Sequence, residues 1–220
     1  MLSTKQKKEP LDKVLEAHPP ANSMQPEVMT TISVATLGCK VNQFESEALL
    51  DALEQRGYTI VPFEKGADIT IINTCTVTQR ADFQSRQMVR RAFRSNPNAL
   101  IIVTGCSPQV EPDAFLKMKG VGYLLGNGEK NQIPDFLPLM QKGEFPRVQV
   151  GDIQKDTLFS EIPSHTFHRH TRAFLKIQDG CNAHCSYCIV PHARGRSRSL
   201  PPERVIENLK DLQENEFKEV

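Results

Sequence analysis

The sequence predicts an α/β protein, an open parallel sheet covered on both faces by helices and followed by the first β/α unit of a second domain. Three observations predict it. Short β-branched runs alternate with amphipathic stretches from Thr30 onward. Two of these runs, at 69–72 and 100–103, are more uniformly apolar, as strands buried on both faces are. A new strand, loop and helix then open near residue 172, after a stretch punctuated by Gly143, Pro146, Gly151 and Pro163.

Residues 1–29 are polar, with Lys5, Lys7, Lys8, Pro10, Pro19, Pro20 and Pro26. Such a composition buries too little surface to order itself, so a disordered extension is expected, with Met24 or Met29 as alternative starts. Residues 31–37 read as the first strand. Asn42 followed by Glu45 has the form of a capping box, and Phe44, Ala48, Ala52 and Leu53 recur at helical spacing until Gly57 stops the helix. Residues 69–72 read as the second strand, followed by a helix over 78–94 that ends near Pro97. Residues 100–103 are the third strand, with a short helical piece over 111–118, and 121–125 are the fourth. Residues 129–142 read as helix interrupted by Pro134 and Pro138. This first domain is bounded at 30–145. Residues 146–171 read as a linker with one strand near Val148, and 172–220 as the start of a second domain: a strand over 173–177, a cysteine loop, and a helix over 199–214 with Val205, Leu209 and Leu212 on one face. One strand, one loop and one helix cannot close a barrel, so the chain is expected to be the front part of a longer protein.

The 220 residues carry a formal net charge of +1, which excludes strong global attraction to nucleic acid and leaves any such contact to local basic patches. No run of about 18 apolar residues and no secretory leader is seen, so no membrane partner and a cytoplasmic location are expected. In a reducing compartment the six cysteines are metal ligands or free thiols rather than disulfides.

The cysteines fall into two sets. Cys181, Cys185 and Cys188 follow Gly180 at a Cys-x3-Cys-x2-Cys spacing, which can hold three irons of a cubic cluster and leave the fourth open. With His192 the same residues match a Cys3His zinc site, and three structural thiols remain a further reading. Cys39, Cys75 and Cys106 lie 36 and 31 residues apart, about one βα unit, each just past a predicted strand. Parallel strands bring their carboxyl ends to one sheet edge, where ligands bind in open α/β folds, so these thiols are expected to converge on a second cluster. The alternative is three small core thiols. Gly38, Gly105 and Gly180 precede three of the six, where the missing side chain lets backbone N–H groups approach cluster sulfur.

The spacing of Cys181, Cys185 and Cys188, with Tyr187 before the last, resembles the signature of radical S-adenosylmethionine (SAM) enzymes. Together with Gly38-Cys39-Lys40-Val41-Asn42-Gln43, Asn73-Thr74-Cys75-Thr76 and Thr104-Gly105-Cys106, it resembles the methylthiotransferase family over residues 30–220. The resemblance implies a Rossmann- or flavodoxin-like domain followed by the truncated start of a radical SAM partial TIM barrel. It implies two 4Fe-4S clusters, an auxiliary one on Cys39, Cys75 and Cys106 and a SAM-binding one on Cys181, Cys185 and Cys188, with Tyr187 near the adenine of SAM. The implied partners are tRNA and an electron donor such as flavodoxin or ferredoxin. The Gly-Cys-Lys-Val-Asn-Gln segment looks like the branch that inserts a methylthio group at carbon 2 of N6-threonylcarbamoyladenosine, position 37 of tRNA. Other branches act on isopentenyladenosine or on a ribosomal-protein aspartate. The barrel being incomplete, this chain alone is expected to be inactive. A reading of another class is a non-catalytic iron–sulfur or zinc module.

Two basic stripes complete the candidates. Arg86, Arg90 and Arg94, joined by Arg80 and Arg91, could track RNA phosphates or simply face solvent. Arg194, Arg196 and Arg198 follow the cysteine loop and are expected to meet substrate or SAM. His165, His168 and His170 in the linker read as solvated, and Gly126-Asn127-Gly128, which lacks the third glycine of a dinucleotide loop, reads as a turn.

Overall fold

The computed structural model describes residues 30–140, 143, 146–161 and 172–220. The expected extension over 1–29 and the histidine trio lie outside the described residues.

Six parallel strands form the main sheet: β1 (Thr31–Thr36), β2 (Thr59–Ile60), β3 (Ile69–Thr74), β4 (Leu100–Gly105), β5 (Val121–Leu125) and β6 (Arg147–Gln149). Their order is β2-β1-β3-β4-β5-β6, the flavodoxin arrangement, with its topological switch point between β1 and β3. The two-residue β2 has no apolar run of its own and is seen only by its pairing with Thr31 and Ile32. The expected strand near Val148 joins the sheet edge beside β5.

Side chains alternate across the sheet, so the β-branched runs build two cores. Ile71 and Ile102 face Leu49 and Leu53 of α1 (Lys40–Gln55) and Ile133 of α5 (Ile133–Phe136). Ile72, Ile101 and Val103 face Val89 and Ala92 of α2 (Gln79–Ser95) and Phe115 of α4 (Asp113–Leu116). Thr78 caps α2 by accepting from the Ala81 N–H, a bond worth about 1 kcal/mol. Between β4 and α4 lies a one-turn helix, α3 (Cys106–Val110). The segment 130–139 is broken into 3-10 turns around α5, as its two prolines require.

Three expectations change. The first helix begins at Lys40 with Cys39 as its N-cap residue, so Asn42 and Glu45 form no capping box. Residues 173–177 form no strand: the bonds of Ala173 N–H to Glu219 O and of Leu200 N–H to Ile177 O reach their two ends without forming a ladder. Only β7 (Gln178–Asp179) pairs, antiparallel with β8 (Arg198–Ser199), across the neck of the cysteine loop. The last helix, α7 (Pro202–Glu214), starts after Pro201 rather than at Ser199, and of its expected apolar face Leu212 is buried while Leu209 is exposed. Between the loop and β8 lies the short α6 (Val190–Arg194).

Candidate functional site

Cys39, Cys75 and Cys106 sit at the carboxyl ends of the adjacent strands β1, β3 and β4, with Cys39 and Cys75 on either side of the switch point. Thr74 pairs with Gly105, which sets Cys75 and Cys106 side by side. Gly38 turns the chain after β1 at φ +102°, and a Cβ there would lie 2.5 Å from Cys75 Cβ and 2.6 Å from its sulfur. Gly105, at φ +98°, has no more room: a Cβ would meet Thr74 O at 2.5 Å. Only glycine lets these two turns press against the neighbouring strand.

Buried polar groups hold the loops. Asn42 Nδ2 donates to Leu37 O at 2.7 Å and Thr74 O at 2.9 Å, tying the turns after β1 and β3. The Ser107 N–H donates to Thr74 Oγ1, and its hydroxyl lies 3.0 Å from Cys75 O. Burial pushes the Cys75 thiol above its ordinary pKa, and neighbouring Cys106 and Cys39 push it the same way. Thiols this close resist joint ionisation unless a cationic centre shares their charge.

The three cysteines line one cavity of about 280 Å³. Its other wall is Gln178, Asp179 and Gly180, the neck of the second cysteine loop, with Ile189, Val190, Ala193 and Arg194. Among the described residues no three His, Cys, Asp or Glu side chains close around a single metal ion. The thiols instead surround a space, which fits a polynuclear cluster held at three corners.

The second loop is pinned at its neck and open at its tip. Gly180 has φ +71°, with Arg196 O only 2.2 Å from where a Cβ would stand. Cys181 N–H donates to Gly195 O and Cys188 N–H to Cys185 O, while the Ala183 N–H points at Cys181 Sγ, 3.4 Å away. Cys185 is exposed, Cys181 and Cys188 are half-buried, and Tyr187 is 91% exposed. The donor set of three thiols with a backbone N–H toward sulfur suits an iron–sulfur cluster. His192, the fourth ligand of the zinc reading, lies exposed on α6 and lines a different cavity with Gln109 and Gln154.

Behind the shared cavity is an ionic cluster that the sequence pattern concealed. Glu45 accepts from Lys130 at 2.6 Å, Lys176 at 2.7 Å and both terminal nitrogens of Arg194 at 2.9 and 3.0 Å. Arg194 also donates to Asp179 Oδ1 and Asn42 Oδ1. Burial alone would raise the Glu45 pKa, but Lys130, Arg194 and Lys176 hold it well below the usual range. Burial likewise opposes the charge on Arg194, and Glu45 and Asp179 overcome it.

The second basic stripe therefore splits. Arg194 is buried in this cluster, and Arg198 turns inward to Arg194 O and Asp156, leaving Arg196 exposed. On α2, Arg90 and Arg94 flank a surface cavity of about 410 Å³ with Arg91, while Arg86 is half-buried.

Residues 31–126 match the profile of "Uncharacterized protein family UPF0004", and residues 175–220 match the Radical SAM superfamily. The same chain is 40% identical over 192 residues to a threonylcarbamoyladenosine tRNA methylthiotransferase of Bacillus subtilis, an alignment covering 87% of this chain and 43% of that protein. Over most of its length the chain is similar to radical SAM methylthiotransferases. An Aquifex aeolicus protein of the same name is 38% identical, over 86% of this chain and 46% of its own length. A tRNA-2-methylthio-N(6)-dimethylallyladenosine synthase of Moorella thermoacetica is 34% identical, over 83% and 42%. The chain thus spans less than half the length of the curated relatives it matches. No helix among the described residues is long and apolar enough to cross a membrane.

Proposed function

We propose that this chain belongs to an enzyme that inserts a methylthio group at carbon 2 of N6-threonylcarbamoyladenosine at position 37 of tRNA. The observation that carries the reading is the shared cavity, where three sheet-end thiols face the neck of a three-cysteine loop. Cys39, Cys75 and Cys106 would hold the auxiliary 4Fe-4S cluster, and Cys181, Cys185 and Cys188 the one that binds SAM. Two such clusters with SAM would supply carbon–sulfur cleavage and sulfur delivery, which functionalise an adenine carbon that acid–base catalysis cannot reach. The greater identity to the threonylcarbamoyladenosine relatives than to the dimethylallyladenosine one supports the substrate branch.

The residues of the chain have distinct parts in this reading. Gly38 brings backbone against the Cys75 thiol and Gly105 presses on the Thr74 backbone beside it, and neither leaves room for a side chain. Tyr187, exposed at the tip of its loop, would meet the adenine of SAM. Arg86, Arg90 and Arg94 would follow the tRNA phosphates, and Arg196 would face substrate or SAM. Arg194 and Arg198 act within the protein, holding the loop neck against the sheet. A cytoplasmic location, with flavodoxin or ferredoxin as electron donor, completes the reading.

The test is anaerobic reconstitution followed by iron and sulfide analysis, then assay of tRNA by nucleoside mass spectrometry with the full-length protein. About eight irons per chain and a methylthio product on threonylcarbamoyladenosine are expected. One zinc without sulfide overturns the reading, and product only on isopentenyladenosine or on a ribosomal protein overturns the substrate.

A further inference from the structure

Asn127 joins a sheet thiol to the helix that follows the second cysteine loop through one amide group. It stands in the turn after β5, and its Nδ2 donates to Ala193 O at 2.7 Å and lies 3.6 Å from Cys106 Sγ, within reach of a sulfur acceptor. A carbonyl only accepts, so Ala193 O determines which end of the amide is nitrogen, and the second N–H is left for the sulfur. The turn is held in place around it. The Asn127 backbone N–H donates to Gln109 Oε1 at 2.9 Å, and Gln109 Nε2 donates to Gly151 O at 2.9 Å. A Cβ on Gly126 would lie 2.4 Å from Gln109 Oε1 and 2.5 Å from Glu129 Oε2, so both side chains pack closely on the turn.

The other end of the amide has no such fit. Asn127 Oδ1 is buried with no hydrogen-bond partner, which is costly for a carbonyl oxygen out of water. An apolar residue of the same shape would avoid that cost, so stability alone does not explain an asparagine here. What asparagine supplies is the pair of donations, one to a cysteine sulfur of the sheet and one to the backbone of α6, which lines the far wall of the same cavity.

We infer that Asn127 is a positioning residue for the auxiliary cluster, its hydrogen bond to Cys106 Sγ raising the reduction potential of that cluster while its bond to Ala193 O sets α6 against it. The inference rests on the two-cluster reading. Hydrogen bonds to ligand sulfur draw charge from the thiolate and favour the reduced, more negative state. Removing the donor therefore lowers the potential.

The test uses the full chain carrying Cys181→Ala, Cys185→Ala and Cys188→Ala, so that only the auxiliary cluster remains, with Asn127→Ala or Asn127→Leu added. Iron content and the potential, followed by electron paramagnetic resonance during a redox titration, are the readouts. Expected is about four irons per chain in parent and variants, with the reduced-to-oxidised ratio at a given applied potential falling about tenfold, ~59 mV for a one-electron couple. If Asn127→Ala loses iron, a lowered potential in iron-replete Asn127→Leu still supports the inference. An unchanged potential in either iron-replete variant overturns it. Loss of iron from both variants also overturns it, because a residue that tunes and positions the cluster is not needed to assemble it. A parent without iron would overturn the cluster reading itself, and the inference with it.

Discussion

Arg194 grips both carboxylate oxygens of Glu45, at 2.9 and 3.0 Å, across 149 residues of chain. The pair joins α1 of the sheet domain to the end of α6 behind the second cysteine loop, and both side chains are buried. Glu45 is the common counterion of Arg194, Lys130 and Lys176, so its loss leaves cations buried with Asp179 as the remaining carboxylate of the cluster. Glu45→Gln is expected to cost about 3–5 kcal/mol in chemical denaturation. Asp135→Asn, which breaks the exposed pair with Arg56, should cost no more than about 1 kcal/mol. Equal effects would mean that the buried cluster carries no special share of the stability.

The same carboxylate predicts an acid-sensitive fold. Glu45 is deprotonated in the folded protein well below its ordinary value of 4.5, because Lys130, Arg194 and Lys176 outweigh the cost of its burial and the nearby Asp179. As pH falls below about 4.5 the unfolded chain takes up the proton first, so stability present above that pH is lost progressively toward the folded value. Burial shifts Lys130 down, and its pairing with Glu45 works against that shift. The denaturation midpoint should therefore fall from pH 5 to pH 3 more steeply in the native protein than in Glu45→Gln. Parallel profiles would show that other carboxylates govern acid unfolding.

Glycine substitutions separate backbone strain from crowding at the thiols. Gly57 has φ +84° and open space where a Cβ would stand, so Gly57→Ala meets only the left-handed backbone penalty of about 1–2 kcal/mol. Gly38 has φ +102° and in addition presses on Cys75, so Gly38→Ala must displace a proposed ligand. Iron content after reconstitution should fall by about half in Gly38→Ala and stay unchanged in Gly57→Ala. Full iron in Gly38→Ala would show that the Cys75 position tolerates displacement.

The sheet and its cysteines were legible because their signals are local and repeated. The apolar strands 69–72 and 100–103 announce themselves by β-branching, and Cys39, Cys75 and Cys106 recur at the length of one βα unit, so strand adjacency alone brings them together. The ionic cluster was hidden for the opposite reason. Asn42 and Glu45 have the spacing of a helix cap, yet their charged partners lie 85 to 152 residues away, and no window of sequence contains both ends. Arg194, Arg196 and Arg198 looked like one stripe, but they fall on a helix end, a loop and a strand, and so point to different surroundings. Residues 173–177 have the composition of a strand but meet their neighbours, Glu219 and Leu200, only at the two ends, which composition cannot report. Asn127 was read only as part of a turn, and its contact with Cys106 has no sequence signal beyond the glycines on either side.

The two proposed clusters can be told apart by function as well as by iron count. Cys185 stands exposed on the second loop, whereas Cys75 is buried at the sheet edge, so replacing either leaves the other set of thiols in place. In the full-length protein Cys185→Ala should abolish reductive cleavage of SAM, followed as loss of 5'-deoxyadenosine production. Cys75→Ala should retain that cleavage and lose methylthio transfer, because the radical-forming site is intact while the sulfur-handling site lacks one of its three ligands. Methylthiolated nucleoside formed by the Cys75 variant would sink the division of labour, since one set of cysteines would then suffice for both steps. Loss of cleavage in both variants would show that the two sites are assembled as one unit across the cavity they share.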